Sequence, residues 1–157
     1  MYEKRTINFN HWTFDIDQKL TKTLYSNIMW GRADAIPTKE FKNYVTQREY
    51  MFPAEIVDLF KLLGVDYKKE LKLNHYTEEN GLSCYEGSFY FVGEMAKGNS
   101  CKIDLGENDF VYELTPITEN FSIGFYQEDV EVFNHTLIYI VFSIAAPYNM
   151  GVRAHSA

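Results

Sequence analysis

Two groups of residues in this 157-residue chain have the types and spacing to do chemistry. The first is His75 with Cys84. A turn signal at Glu79-Asn-Gly separates them, because Asn and Gly both tolerate positive φ. Strands over 70–77 and 82–94 would bring an imidazole near a thiol. A thiol is a nucleophile only as thiolate, so such a pair needs proximity and a lowered thiol pKa. The plainer reading is a strand histidine beside a partly buried structural cysteine. The second group is Glu128, Asp129 and Glu131, close together after a strong strand. They form a candidate acidic rim for a cationic partner; the plainer reading is a set of solvated carboxylates.

Other chemistry lacks its pattern. No two of His11, His75, His135 and His155 show zinc-helix spacing, and Cys84 and Cys101 lack a CxxC, so no metal site is expected. Asp15-Ile-Asp17 opens like a calcium loop, but Lys19 and Leu20 break it. Gly87 to Gly93 has no Lys-Ser/Thr and opens no helix, so it is not a phosphate loop. No Gly-x-Ser-x-Gly elbow occurs. No catalytic residue and no cofactor is assigned.

Fifteen basic residues against twenty-two acidic give a net charge of −7. That balance repels phosphate backbones and anionic membrane surfaces, and it steers toward basic proteins. No run reaches the ~18 apolar residues of a membrane helix. The opening Met-Tyr-Glu-Lys-Arg-Thr lacks the apolar core of a secretory signal. A cytoplasmic protein with two reduced thiols is expected.

The positioning elements follow from periodicity. Aromatics are 17% of the chain, with twelve Tyr and twelve Phe, which favours sheet. Residues 6–15 alternate as one or two short strands joined near Asn10. The stretch from Leu20 to Trp30 fits a helix by spacing and a strand by propensity, and is left unassigned. Thr38 caps a helix over about 38–50, whose apolar stripe Phe41, Tyr44, Val45 ends at Arg48. Pro53 opens a second helix that Gly64 closes, with Ile56, Val57, Phe60 and Leu63 on one face. Residues 66–70 read as an exposed connection.

Strands then follow. Leu82 to Met95 is the central one, with Gly87 and Gly93 leaving gaps for a neighbouring aromatic or a helix backbone. A weaker hairpin surrounds Gly106-Glu-Asn-Asp. Phe121, Ile123 and Phe125 alternate, as do Ile138, Ile140, Phe142 and Ile144. The expected fold class is α+β: an antiparallel sheet with two adjacent helices, about 38–50 and 53–64, packed on one face. Residues 1–150 are expected to form one domain and 151–157 a disordered tail.

Phe52-Pro-Ala-Glu-Ile-Val-Asp-Leu-Phe-Lys-Leu-Leu-Gly-Val-Asp, followed by the Tyr-x-Gly-x-Phe/Tyr-x-Phe-Val-Gly strand at Tyr85 to Gly93, resembles a family of small uncharacterised bacterial α+β proteins. Phe121-Ser-Ile-Gly-Phe and the ending from Ile140 to Pro147 look similar too. Together these cover roughly half the chain. The resemblance implies a fold and no activity. Such relatives carry a Cys cluster ahead of the helix, which Pro37 to Tyr50 here lacks.

The functional expectation is a non-enzymatic protein that binds a basic protein partner, such as a toxin held by an immunity-type inhibitor. The alternative is a small-ligand protein or enzyme with a pocket between helix and sheet.

Overall fold

The computed structural model describes residues 4–79, 81–130 and 134–147. The expected tail and Glu131 lie outside the described residues. In chain order the elements are β1 (Arg5–Phe9), β2 (Trp12–Ile16), α1 (Gln18–Ser26), α2 (Arg32–Ala35), α3 (Lys39–Met51), α4 (Ala54–Leu63), β3 (Lys72–Glu79), β4 (Leu82–Lys97), β5 (Lys102–Gly106), β6 (Asp109–Tyr112), β7 (Thr115–Thr118), β8 (Phe121–Val130) and β9 (His135–Pro147).

Seven strands form one antiparallel sheet in the order β1-β2-β4-β9-β8-β7, with β3 also paired to β4. β5 and β6 form a separate two-stranded sheet. The class is α+β with a large antiparallel sheet. Four helices are present among the described residues, where the sequence indicated two.

Local chemistry explains the elements. Asn10 takes φ 54° in the β1–β2 turn. The Thr38 hydroxyl accepts from the Phe41 amide, and Gly64 closes α4 at φ 85°. α1 is capped by the Asp17 carboxylate, which accepts from the Leu20 amide. β7 contains Pro116, which an outermost strand tolerates because its free edge needs no donor.

β4 organises the molecule. Its odd positions Tyr85, Phe89 and Phe91 are fully buried, and its even positions up to Tyr90 are half-buried. The buried face meets the helices: Phe60 of α4 lies 5.1 Å from Phe89, and Tyr44 of α3 lies 5.2 Å from Tyr85 (ring centroids). Phe52, between α3 and α4, touches Phe60, Phe89, Phe121 and Phe142. Gly87 makes room for Phe142, whose ring a Cβ there would meet at 2.6 Å. At Gly93 the close neighbour is not a helix but the β2 backbone, Asp15 O, at 2.5 Å.

One edge of β4 is shared. β3 pairs with Leu82 to Ser88 and β2 with Gly93 to Lys97, which leaves a gap. α1 fills it. The Tyr25 hydroxyl donates to Tyr90 O and accepts from Tyr90 N, Thr21 Oγ1 accepts from Val92 N, and Asp17 N donates to Val92 O. Buried backbone groups are thereby satisfied without a strand.

Candidate functional site

The structure separates His75 from Cys84. His75 pairs directly with Tyr85, with ring centroids 5.2 Å apart, so its side chain lies on the Tyr85 face. Cys84 precedes Tyr85 and points to the opposite face. A register irregularity between His75 and Thr77 sets Cys84 opposite Thr77.

The acidic group is also divided. Glu128 pairs with Leu137 and Asp129 with Thr136, so the two carboxylates leave opposite faces of β8. Glu128 lies 3.4 Å from the Lys102 ammonium, and Asp129 accepts from the Thr136 hydroxyl at 2.9 Å. Glu131 is not among the described residues.

What the second face of the sheet does present is a row of tyrosines. Tyr126, Tyr139 and Tyr90 are direct cross-strand partners on β8, β9 and β4. Tyr126 stacks on Tyr139 at 5.0 Å, and Tyr139 meets Tyr90 edge-on at 6.5 Å. Tyr112 of β6 extends the row at one end and Tyr25 of α1 at the other, at 5.9 and 5.3 Å. Burial holds the Tyr25, Tyr90, Tyr126 and Tyr139 phenols above their ordinary value. A hydrogen bond with Tyr112 adds to the shift at Tyr126. These rings are neutral at physiological pH. They can stack and donate hydrogen bonds, and they are poor bases.

No protein-family model, no curated protein and no solved structure matches this chain.

The two ends of the tyrosine row open onto different surfaces. At the Tyr112 end stands the β5–β6 hairpin. Cys101 anchors its base: its amide donates to Phe125 O at 2.8 Å, and its side chain sits over Gly124, where a Cβ would meet Cys101 Cβ at 2.5 Å. Burial pushes the Cys101 thiol up to about 12, so it is an anchor and not a nucleophile. Lys102 lies over the rings of Phe110 (4.6 Å) and Tyr126 (5.2 Å).

Beyond that base, residues 103–111 are all exposed. Ile103, Leu105, Phe110 and Val111 are between 39% and 57% exposed. Asp104, Glu107 and Asp109 are the only charged residues in this stretch. The turn is tight, with Glu107 at φ 50° and Asn108 at φ 65°. With Gly106 at φ 86° before them, three positive φ angles follow one another, and the two in the loop match the hairpin turn whose twist suits the flanking strands. Sequence reading found this hairpin but assigned it no role. The overlooked signal was four large apolar residues in a segment too short to have a buried side.

At the Tyr25 end lies a cleft of about 480 Å³, floored by Tyr90, Leu137 and Tyr139 and walled by Trp30, Arg32 and Lys69. A buried ion cluster holds that wall. Arg48 Nη1 lies 2.9 Å from Glu70 Oε2 and 3.2 Å from Asp34 Oδ2. Glu70 also accepts from the Ala33 amide through Oε1, and its backbone carbonyl accepts from Arg32 N. Glu70 was expected in an exposed connection, yet its side chain is fully buried. Burial raises the Glu70 pKa against the opposing pull of Arg48, while Glu70 and Asp34 outweigh burial to raise Arg48. Arg48 extends the stripe of Phe41 and Tyr44 inward instead of ending it. Gly31 fits here because a Cβ would meet Lys68 O at 2.3 Å.

A second cleft, about 690 Å³, lies between α1 and α4 and shares Tyr25 and Lys69 with the first. Among the described residues no three His, Cys, Asp or Glu side chains group as metal ligands. No helix among them is long and apolar enough to cross a membrane.

Proposed function

We propose that this protein acts by binding another protein, and that the β5–β6 hairpin engages the partner. The observation that carries this is the run 103–111: four exposed large apolar side chains interleaved with three carboxylates and no cation. Ile103 and Val111 are direct partners on one face, Asp104 and Phe110 on the other, and exposed apolar side chains beside charged ones suit an interface. A two-stranded hairpin exposed on both faces gains little stability from its own apolar residues. β5 and β6 pair with each other, so each also offers an outer edge for an added strand.

The charge selects a basic partner. The hairpin tip carries three negative charges on a chain of net charge −7, which accelerates encounter with a cationic surface and opposes an acidic one. An immunity-type inhibitor of a cationic toxin in the cytoplasm is one form of this reading, with Glu128 near the hairpin base and Asp129 and Glu131 further along the chain. The tyrosine row supports the reading, since neutral phenols on a packed sheet give the arm a rigid foundation.

The test is co-purification under native conditions from the source cells, comparing the natural chain with Leu105→Ser/Phe110→Ser. A basic protein retained by the natural chain and lost by the variant, at unchanged thermal midpoint, supports the reading. Equal retention by both counts against it.

A further inference from the structure

A different observation points to a small-molecule site at the other end of the tyrosine row. The cleft of about 480 Å³ is of a size that holds a compact ligand. Its floor is sheet, and so rigid: Tyr90 and Tyr139 are direct partners on β4 and β9, with Leu137 beside them. Its mouth carries Trp30, which is 66% exposed where Trp12 is 2% exposed. A large indole left in water at the rim of an aromatic-floored cleft is placed to close over a flat ring.

The charges at the cleft run against those of the whole chain. Arg32 and Lys69 both line it. Arg32 makes no ion pair among the described residues. Lys69 donates to Tyr25 O at 2.8 Å and lies 4.0 Å from the Asp66 carboxylate. The one acidic residue lining the cleft, Glu70, is spent on Arg48. Two cations, neutral phenols and an indole therefore surround a space with no opposing free carboxylate in its lining.

We propose that this cleft binds a small flat aromatic ring carrying a carboxylate or phosphate, the ring between Trp30 and the Tyr90–Tyr139 floor and the anion at Arg32. Stacking on an aromatic face supplies affinity, and the planar guanidinium supplies preference for the anion. The Arg48–Glu70 pair is a positioning device: through Ala33 N and Arg32 N it fixes the wall that carries Arg32 and Trp30. The site is independent of partner binding at the hairpin.

Calorimetric titration of the intact chain tests this with two matched pairs of probes at millimolar concentration. These are adenosine monophosphate against adenosine, and naphthoate against naphthol. At least one anion should bind saturably and about tenfold more tightly than its neutral counterpart. Arg32→Gln should abolish that preference, and Trp30→Ala should weaken anion and neutral probe alike. Both residues are exposed, so both variants should keep the natural thermal midpoint. The proposal is overturned if neither anion binds saturably, if the neutral probes bind equally well, or if Arg32→Gln leaves the preference intact.

Discussion

The hydroxyl of Tyr25 takes the place of a missing strand beside Tyr90. It donates to Tyr90 O at 2.7 Å and accepts from Tyr90 N at 3.0 Å. One phenol thus satisfies both backbone groups of Tyr90 in the gap between β2 and β3. Tyr25→Phe leaves a buried donor and acceptor unpaired while keeping the ring. We expect a loss of about 2–3 kcal/mol, against under about 1 kcal/mol for Tyr139→Phe, whose hydroxyl bridges no backbone. Urea unfolding of the two variants measures the difference, and equal losses would contradict the bridging role.

The buried ion cluster gives a second expectation. Arg48→Met strands the Glu70 carboxylate without its cation and should cost about 3–5 kcal/mol. That is a large fraction of a typical domain's stability. Arg48→Met/Glu70→Leu removes both charges and should recover much of the loss. A double-mutant cycle by chemical denaturation checks it. Strict additivity of the two single losses would show that the pair is not coupled.

Alkaline titration reads the tyrosine row. Burial holds Tyr25, Tyr90, Tyr126 and Tyr139 above the ordinary 10.0. The unfolded chain releases these protons near pH 10, while the folded chain keeps them. Their contribution is therefore fully present below pH 10 and declines as pH rises through the folded values. Phenolate absorbance of the native protein should lag that of the urea-unfolded chain. Twelve tyrosines titrating together near pH 10 in the native state would contradict the packing.

The two thiols differ in burial. Cys84 is half-buried; Cys101 is 3% exposed and pushed up to about 12. Neutral alkylation of the native protein should label Cys84 first, with Cys101 at least about tenfold slower until denaturant is added. Mass spectrometry of labelled peptides shows the order. Equal rates would mean that the hairpin base opens freely.

Much of this fold was legible as local signals. Thr38, Pro53, Gly64, Asn10 and the Gly106 turn mark ends that backbone chemistry alone demands. α1 was not legible, because Thr21 and Tyr25 lean toward strand by propensity. Their helical spacing makes sense only once both hydroxyls are seen bridging β4, which is a tertiary demand. Arg48 and Glu70 were misread for a related reason: a buried charge is recognisable only with its partner, here 22 positions away. Tyr90, Tyr126 and Tyr139 line up only through the pairing of β4, β9 and β8, and alternation along one strand does not give that register. The register sets His75 opposite Tyr85 and Cys84 opposite Thr77, a placement that the turn signal alone does not give.

Binding through the hairpin is tested most directly by hydrogen exchange on the purified chain, alone and with the basic protein that it captures. Partner-dependent protection should concentrate in amides 103–111 and fade when Leu105→Ser/Phe110→Ser replaces the natural chain. Protection confined to α3, α4 or the β1–β2 edge, with the hairpin amides unchanged, would contradict it.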